Sequence, residues 1–155
     1  MTIFFRSPRR VAADGRLTLS ERPIAAVMGV VATSLAVMSV LHLSGTVGGG
    51  TRPFDRSSAG IAEAVICVVL GYGAIRLLRR QPGAQAVGLA TTAFATVGFL
   101  IGLRFTLGAG GAVDIAYHLS AVPILLIALI ALVRKRRRNA PPLSATREPN
   151  QGVSS

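Results

Sequence analysis

The stretch Asp114–Arg138, DIAYHLSAVPILLIALIALVRKRRR, decides the fold. From Ile115 to Val133 no side chain carries a formal charge. A helix of that length, rising about 1.5 Å per residue, reaches roughly 28 Å, close to the thickness of a bilayer's hydrocarbon core. Asp114 and His118 stand at one end of the stretch and a five-residue basic run at the other. An apolar helix that stops at such a run is expected to cross a membrane with the run on the cytoplasmic side.

Three more stretches follow the same pattern, giving expected spans at 24–44, 59–78, 84–104 and 114–133. The chain is 51% hydrophobic and only 15% charged, with a mean hydropathy of +0.57. A water-soluble domain carries about 25% charged residues, so the solvent for this one is read as lipid. The first span could be taken for a secretory leader, but its uncharged run from Ile24 to Leu41 is longer than a usual leader's apolar core, and only SGTVGGG, no convincing small-x-small cleavage site, follows it. It is expected to remain as a span. Residues 1–23 read as a basic N-terminal segment and 134–155 as a basic, disordered tail. Ser57 or Ser58 is expected to cap the second helix. Arg79, Arg80, Gln81, Pro82 and Gly83 read as a tight turn. Pro123 is expected to kink the fourth span.

The net charge of +11 does not indicate nucleic acid. The charges stand in blocks beside apolar segments, with no basic face interleaved with aromatics. Counted by position, five of the seventeen Lys and Arg precede the first span, three lie at 76–80 and six at 134–147. With four spans these all fall on one side, leaving Arg52, Arg56 and Arg104 on the other. The expected architecture is therefore an all-α, up-down-up-down transmembrane bundle with both termini in the cytoplasm. The basic side is expected to face anionic lipid headgroups. Sixteen Arg to one Lys reads as a GC-rich bacterial source, hence the plasma membrane. The single cysteine, Cys67, excludes an intrachain disulfide and a Cys-x-x-Cys redox motif.

With this topology the polar residues converge on the outer ends of the spans. His42 ends the first, Glu63 begins the second, Arg104 ends the third, and Asp114, Tyr117 and His118 begin the fourth, with Arg52 and Asp55 in the loop above. Asp114 and His118, four residues apart, share one helix face. Three readings of this layer are open. The charges can neutralise one another, with Glu63 and Arg104 as the expected ion pair and Asp114 the rival partner for Arg104. His42, Glu63, Asp114 and His118 can ligate a metal or support a haem-type site, although no ExxH or HxxxH motif concentrates them. Tyr117 and His118 can hydrogen-bond a quinone-like headgroup. On the third span, Gly88, Thr92, Ala95, Gly98 and Gly102 form a small-residue stripe, expected either to pack within the chain or to form a homodimer face.

The four short spans, the Gly-rich segment after the first, and DIAYHLSAVPILLIAL in the fourth resemble small four-span bacterial membrane proteins of uncharacterised domain families, the DoxX-like group among them. The resemblance covers residues 24–133. It implies an integral membrane protein and no particular activity. Such proteins often place a His just inside the fourth helix, as His118 stands here, whereas Glu63 occupies a position where some carry His. The function expected is a non-enzymatic structural or accessory component, within a homodimer or a larger membrane complex. The alternative is a redox-linked enzyme or a metal-, haem- or quinone-binding protein built on the outer layer.

Overall fold

The computed structural model describes residues 21–47 and 55–139, and of Ala109 the backbone alone. Arg52, the N-terminal segment to residue 20 and the tail beyond Asn139 lie outside the described residues. The chain is all-α: α1 spans Glu21–Leu43, α2 Arg56–Leu78, α3 Ala84–Ala109 and α4 Ala112–Asn139. All four helices are long and apolar enough to cross a membrane. Even the 23 residues of α1 or α2 rise about 34 Å, against roughly 30 Å of hydrocarbon.

Large aliphatic side chains cover the outside of the bundle. Val30 on α1, Val68 on α2 and Ile127 on α4 are 70%, 71% and 68% exposed, and Val97 and Ile101 on α3 also face outward. Water would penalise such a surface and lipid does not. The core holds Met28 and Leu35 of α1, Leu70 and Leu77 of α2, Phe99 of α3, and Leu125 and Leu132 of α4.

Small residues let the backbones approach. Ser39 Oγ of α1 donates to Gly60 O of α2 at 2.7 Å, and a methyl at Gly60 would stand 3.1 Å from Ser39 O. At Gly73 a methyl would overlap Thr91 of α3 and press on Met28 of α1. Gly88 lies against Leu77, Gly98 against Ile66 and Gly102 against His118, so the α3 stripe is used within the chain. Contacts between consecutive helices advance along one as they recede along the next. Ser39 meets Gly60 while Met28 nears Gly73, and Leu77 meets Gly88 while Ile66 meets Gly98.

The turns are built from helix-end chemistry. Gly45, at φ 76°, closes α1, with Gly45 N donating to His42 O and Thr46 N to Leu41 O. The same pattern closes α2 around Arg80 at φ 55°, with Arg80 N donating to Leu77 O and Gln81 N to Arg76 O. Asp55, rather than Ser57 or Ser58, caps α2, accepting from Ser58 N at 2.9 Å. The helix begins at Arg56, so the residue before it is the one placed to accept from the first-turn N–H groups.

Several boundaries differ from expectation: α1 and α2 each begin three residues early, at Glu21 and Arg56. Helix α3 runs five residues past Arg104, carrying Thr106 into the interior. The run at 134–138, expected to open a disordered tail, forms the last turns of α4, where Lys135 pairs with Glu21 at 2.7 Å. Arg and Lys are good helix formers, and their charge suits a helix C-terminus. Helix α4 passes through Pro123, whose ring sits on the exposed face.

Gly73→Ala is expected to destabilise the fold by about 1–3 kcal/mol through overpacking. Gly29→Ala, where a methyl would meet nothing within 4 Å, should be neutral or stabilising by up to about 1 kcal/mol. Thermal unfolding of both in one detergent checks the close approach, and equal melting temperatures would refute it.

Candidate functional site

The last turn of α1, the first turns of α2 and α4 and the end of α3 meet at one end of the bundle. Gly45 stops α1 just after His42, and the Asp55 cap sets Glu63 two turns into α2. Their side chains meet, His42 Nδ1 to Glu63 Oε2, at 2.8 Å. The other ring nitrogen, His42 Nε2, faces Asp114 Oδ2 of α4 at 3.9 Å, too far for a hydrogen bond. Thr106 Oγ1 of α3 reaches Asp114 Oδ2 at 3.3 Å and also donates to Gly102 O at 2.8 Å. His118 Nδ1 lies 2.9 Å from the backbone oxygen of Asp114, one turn back, and 3.2 Å from its Oδ1. One ring hydrogen serves the shorter contact. Phe99 holds the His118 ring edge-on, with centroids 5.3 Å apart.

His42, Glu63, Asp114 and His118 are buried, the His42 side chain at 0% exposure. Three of their atoms are enclosed without a hydrogen-bond partner: His42 Nε2, Glu63 Oε1 and Asp114 Oδ1. One ligating atom from each of His42, Glu63 and Asp114 lies within 4.8 Å of the other two. All four residues line a cavity of about 390 Å³ between α2 and α3. Apart from Thr106 its remaining wall is apolar, and residues Ala62, Val65, Phe94, Val97, Ile101 and Phe105 bring it to the exposed outer face of the bundle. The cavity therefore joins a buried polar floor to the surface where lipid would lie.

The other expected members are placed elsewhere. Arg104 is exposed on α3, and among the described residues no ion pair joins it to Glu63 or Asp114. Glu63 takes His42 instead, on the helix that packs most extensively against α2. Asp55 is exposed and spent on the α2 cap. Tyr117 turns away from the cavity, its hydroxyl 3.0 Å from Ser34 Oγ of α1. That removes it as a donor to a headgroup in the cavity. Arg52 lies outside the described residues. Cys67, one turn from Glu63, packs against the core. Thr106 was missed by sequence reasoning. Its signal was the α3 stripe, since it stands four residues beyond Gly102.

Comparison with protein-family models, with curated proteins and with solved structures gives no match for this chain. Four apolar helices alone do not identify the DoxX-like group.

A double-mutant cycle of unfolding free energies in one detergent tests the pairing. His42→Ala and Glu63→Ala should couple by about 1–3 kcal/mol, whereas Glu63→Ala and Arg104→Ala should add to within about 0.5 kcal/mol. Strong Glu63–Arg104 coupling would contradict the observed geometry.

Proposed function

We propose that this is a multi-pass protein of the bacterial plasma membrane, an up-down-up-down bundle with cytoplasmic termini. It serves as a non-enzymatic accessory component that binds an amphipathic, bilayer-resident molecule between α2 and α3. The observation that carries this reading is the cavity itself, which leads from exposed apolar side chains to buried, incompletely paired polar ones. Binding sites are typically apolar concavities with a few convergent polar groups. This one suits a molecule whose chain lies along α2 and α3 and whose polar end reaches Glu63, Asp114 and His118. A nucleophile elbow or other acyl-transfer motif is missing from the sequence around these residues, so binding rather than turnover is the function assigned.

The orientation rests on charge. Arg134, Arg136, Arg137 and Arg138 are exposed at the C-terminal end of α4, and Arg79 and Arg80 are exposed in the turn between α2 and α3. The pairings Ser39 with Gly60, Leu77 with Gly88 and Lys135 with Glu21 support an arrangement in which these share one end and the polar cluster lies at the other. The positive-inside rule assigns the basic end to the cytoplasm, against anionic headgroups.

Two measurements test the proposal. In a Cys67→Ala background, Gly111→Cys should react with a membrane-impermeant thiol reagent added to intact cells, and Gln81→Cys should not. The reverse labelling would invert the topology. Native mass spectrometry from mild detergent should find one bound molecule of several hundred daltons, lost in Ala62→Trp, which fills the cavity mouth. Identical adducts on both proteins would rule out the cavity as the binding site.

A further inference from the structure

The cavity floor holds more electron pairs than hydrogens. With Glu63 ionised, the contact of His42 Nδ1 with Glu63 Oε2 at 2.8 Å places the ring proton on that nitrogen, since a carboxylate only accepts. Nε2 is then left as a buried lone pair. A doubly protonated ring would fare no better, because its second N–H would find no acceptor within hydrogen-bond distance, Asp114 Oδ2 being 3.9 Å away. Glu63 Oε1 and Asp114 Oδ1 are likewise enclosed and unpaired. These three acceptors, each on a side chain at least nine-tenths buried, thus receive no hydrogen bond, His118 Nδ1 standing 3.2 Å from Asp114 Oδ1 but giving its hydrogen to the backbone oxygen.

Charge leads to the same place. His118 spends its Nδ1 hydrogen on the Asp114 backbone oxygen, so neither histidine needs to be cationic to explain its contacts. Two buried carboxylates then remain to be neutralised, and the nearest arginine on α3, Arg104, is exposed. A single divalent cation balances both, and charge balance is what makes burial in an apolar setting affordable.

We propose that His42 Nε2, Glu63 and Asp114 bind a divalent first-row transition-metal ion at the buried floor of the cavity. The donor set selects the class of ion: imidazole with carboxylates suits zinc, iron or manganese, while a site for calcium or magnesium would be all oxygen. One candidate ligating atom from each of the three residues lies within 4.8 Å of the other two. Around a tetrahedral ion with bonds of about 2.1 Å they would be about 3.4 Å apart, a closure that side-chain torsions supply. Ligation by Glu63 would replace its hydrogen bond to His42 Nδ1–H, since a carboxylate held on Nδ1 cannot also reach an ion on Nε2 of the same ring. Three protein ligands leave a coordination position open toward the cavity. That position fits an oxygen-bearing headgroup, a clause that rests on the proposed ligand reading; the metal site itself does not.

The test uses the full chain purified in detergent, freed of metal by chelation and dialysed against Zn²⁺, Mn²⁺ or Co²⁺. One equivalent should be retained, the melting temperature should rise with metal, and Co²⁺ should develop the visible bands of mixed nitrogen and oxygen ligation. Glu63→Gln and His42→Ala should each weaken binding about 10- to 100-fold or more, while Arg104→Ala leaves it unchanged. Should either site variant fail to fold, the stoichiometry and cobalt spectrum of the unaltered chain decide. Absence of a retained equivalent and of any thermal shift would overturn the proposal, as would metal binding unaffected by both substitutions. Loss of the cavity-bound molecule in Ala62→Trp with metal retained would separate the two readings.

Discussion

The end of the bundle that carries the cavity depends on a carboxylate and an imidazole meeting in an apolar surrounding. Glu63 is buried, and an isolated carboxylate in an apolar setting would cost several kcal/mol. His42 supplies the hydrogen bond that makes the position tolerable, and by doing so ties the last turn of α1 to the beginning of α2. Asp114 and Thr106 extend the connection to α4 and α3. In lipid, apolar surface gives little drive for helices to associate, so packing contacts and such polar links carry the specificity of assembly.

Close packing and the polar link divide the length of the bundle between them. Toward the basic end, Gly73, Gly88, Leu77 and Thr91 bring α2 and α3 into tight contact. Toward the other end, α2 and α3 leave the cavity between them, and the polar residues of α1 and α4 form its floor. The stripe of small residues on α3 serves both regions. Gly88 and Gly98 admit α2 side chains, whereas Gly102 admits the His118 ring, without which that ring could not sit beside the cavity. A larger residue at Gly102 would displace the histidine rather than only loosen the helix pair.

Hydropathy was legible in the sequence because the lipid requirement acts on each helix separately. An uncharged run of about twenty residues is needed whatever its neighbours are, and intrahelical hydrogen bonds satisfy its backbone. The turn at 79–83 and the gathering of His42, Glu63, Asp114 and His118 at one level were readable for the same reason: each follows from position along a helix. Boundaries set by side-chain chemistry were less so. Asp55 displaced the serines as the α2 cap, and the basic run at 134–138 continued α4 instead of leaving it.

Pairing within the polar layer was decided by tertiary structure alone. From the sequence, Glu63 could be set against Arg104 because their helices are joined by a short turn. The rotation of each helix about its axis, which no hydropathy pattern specifies when all outward faces are equally apolar, turns Arg104 outward and Glu63 toward His42. The same rotation aims Tyr117 at Ser34 and draws Thr106 onto Asp114. One-dimensional order determined which elements exist and at which depth their polar residues lie. The packing of glycines against particular side chains determined which of those residues touch, and it alone opened the cavity above them.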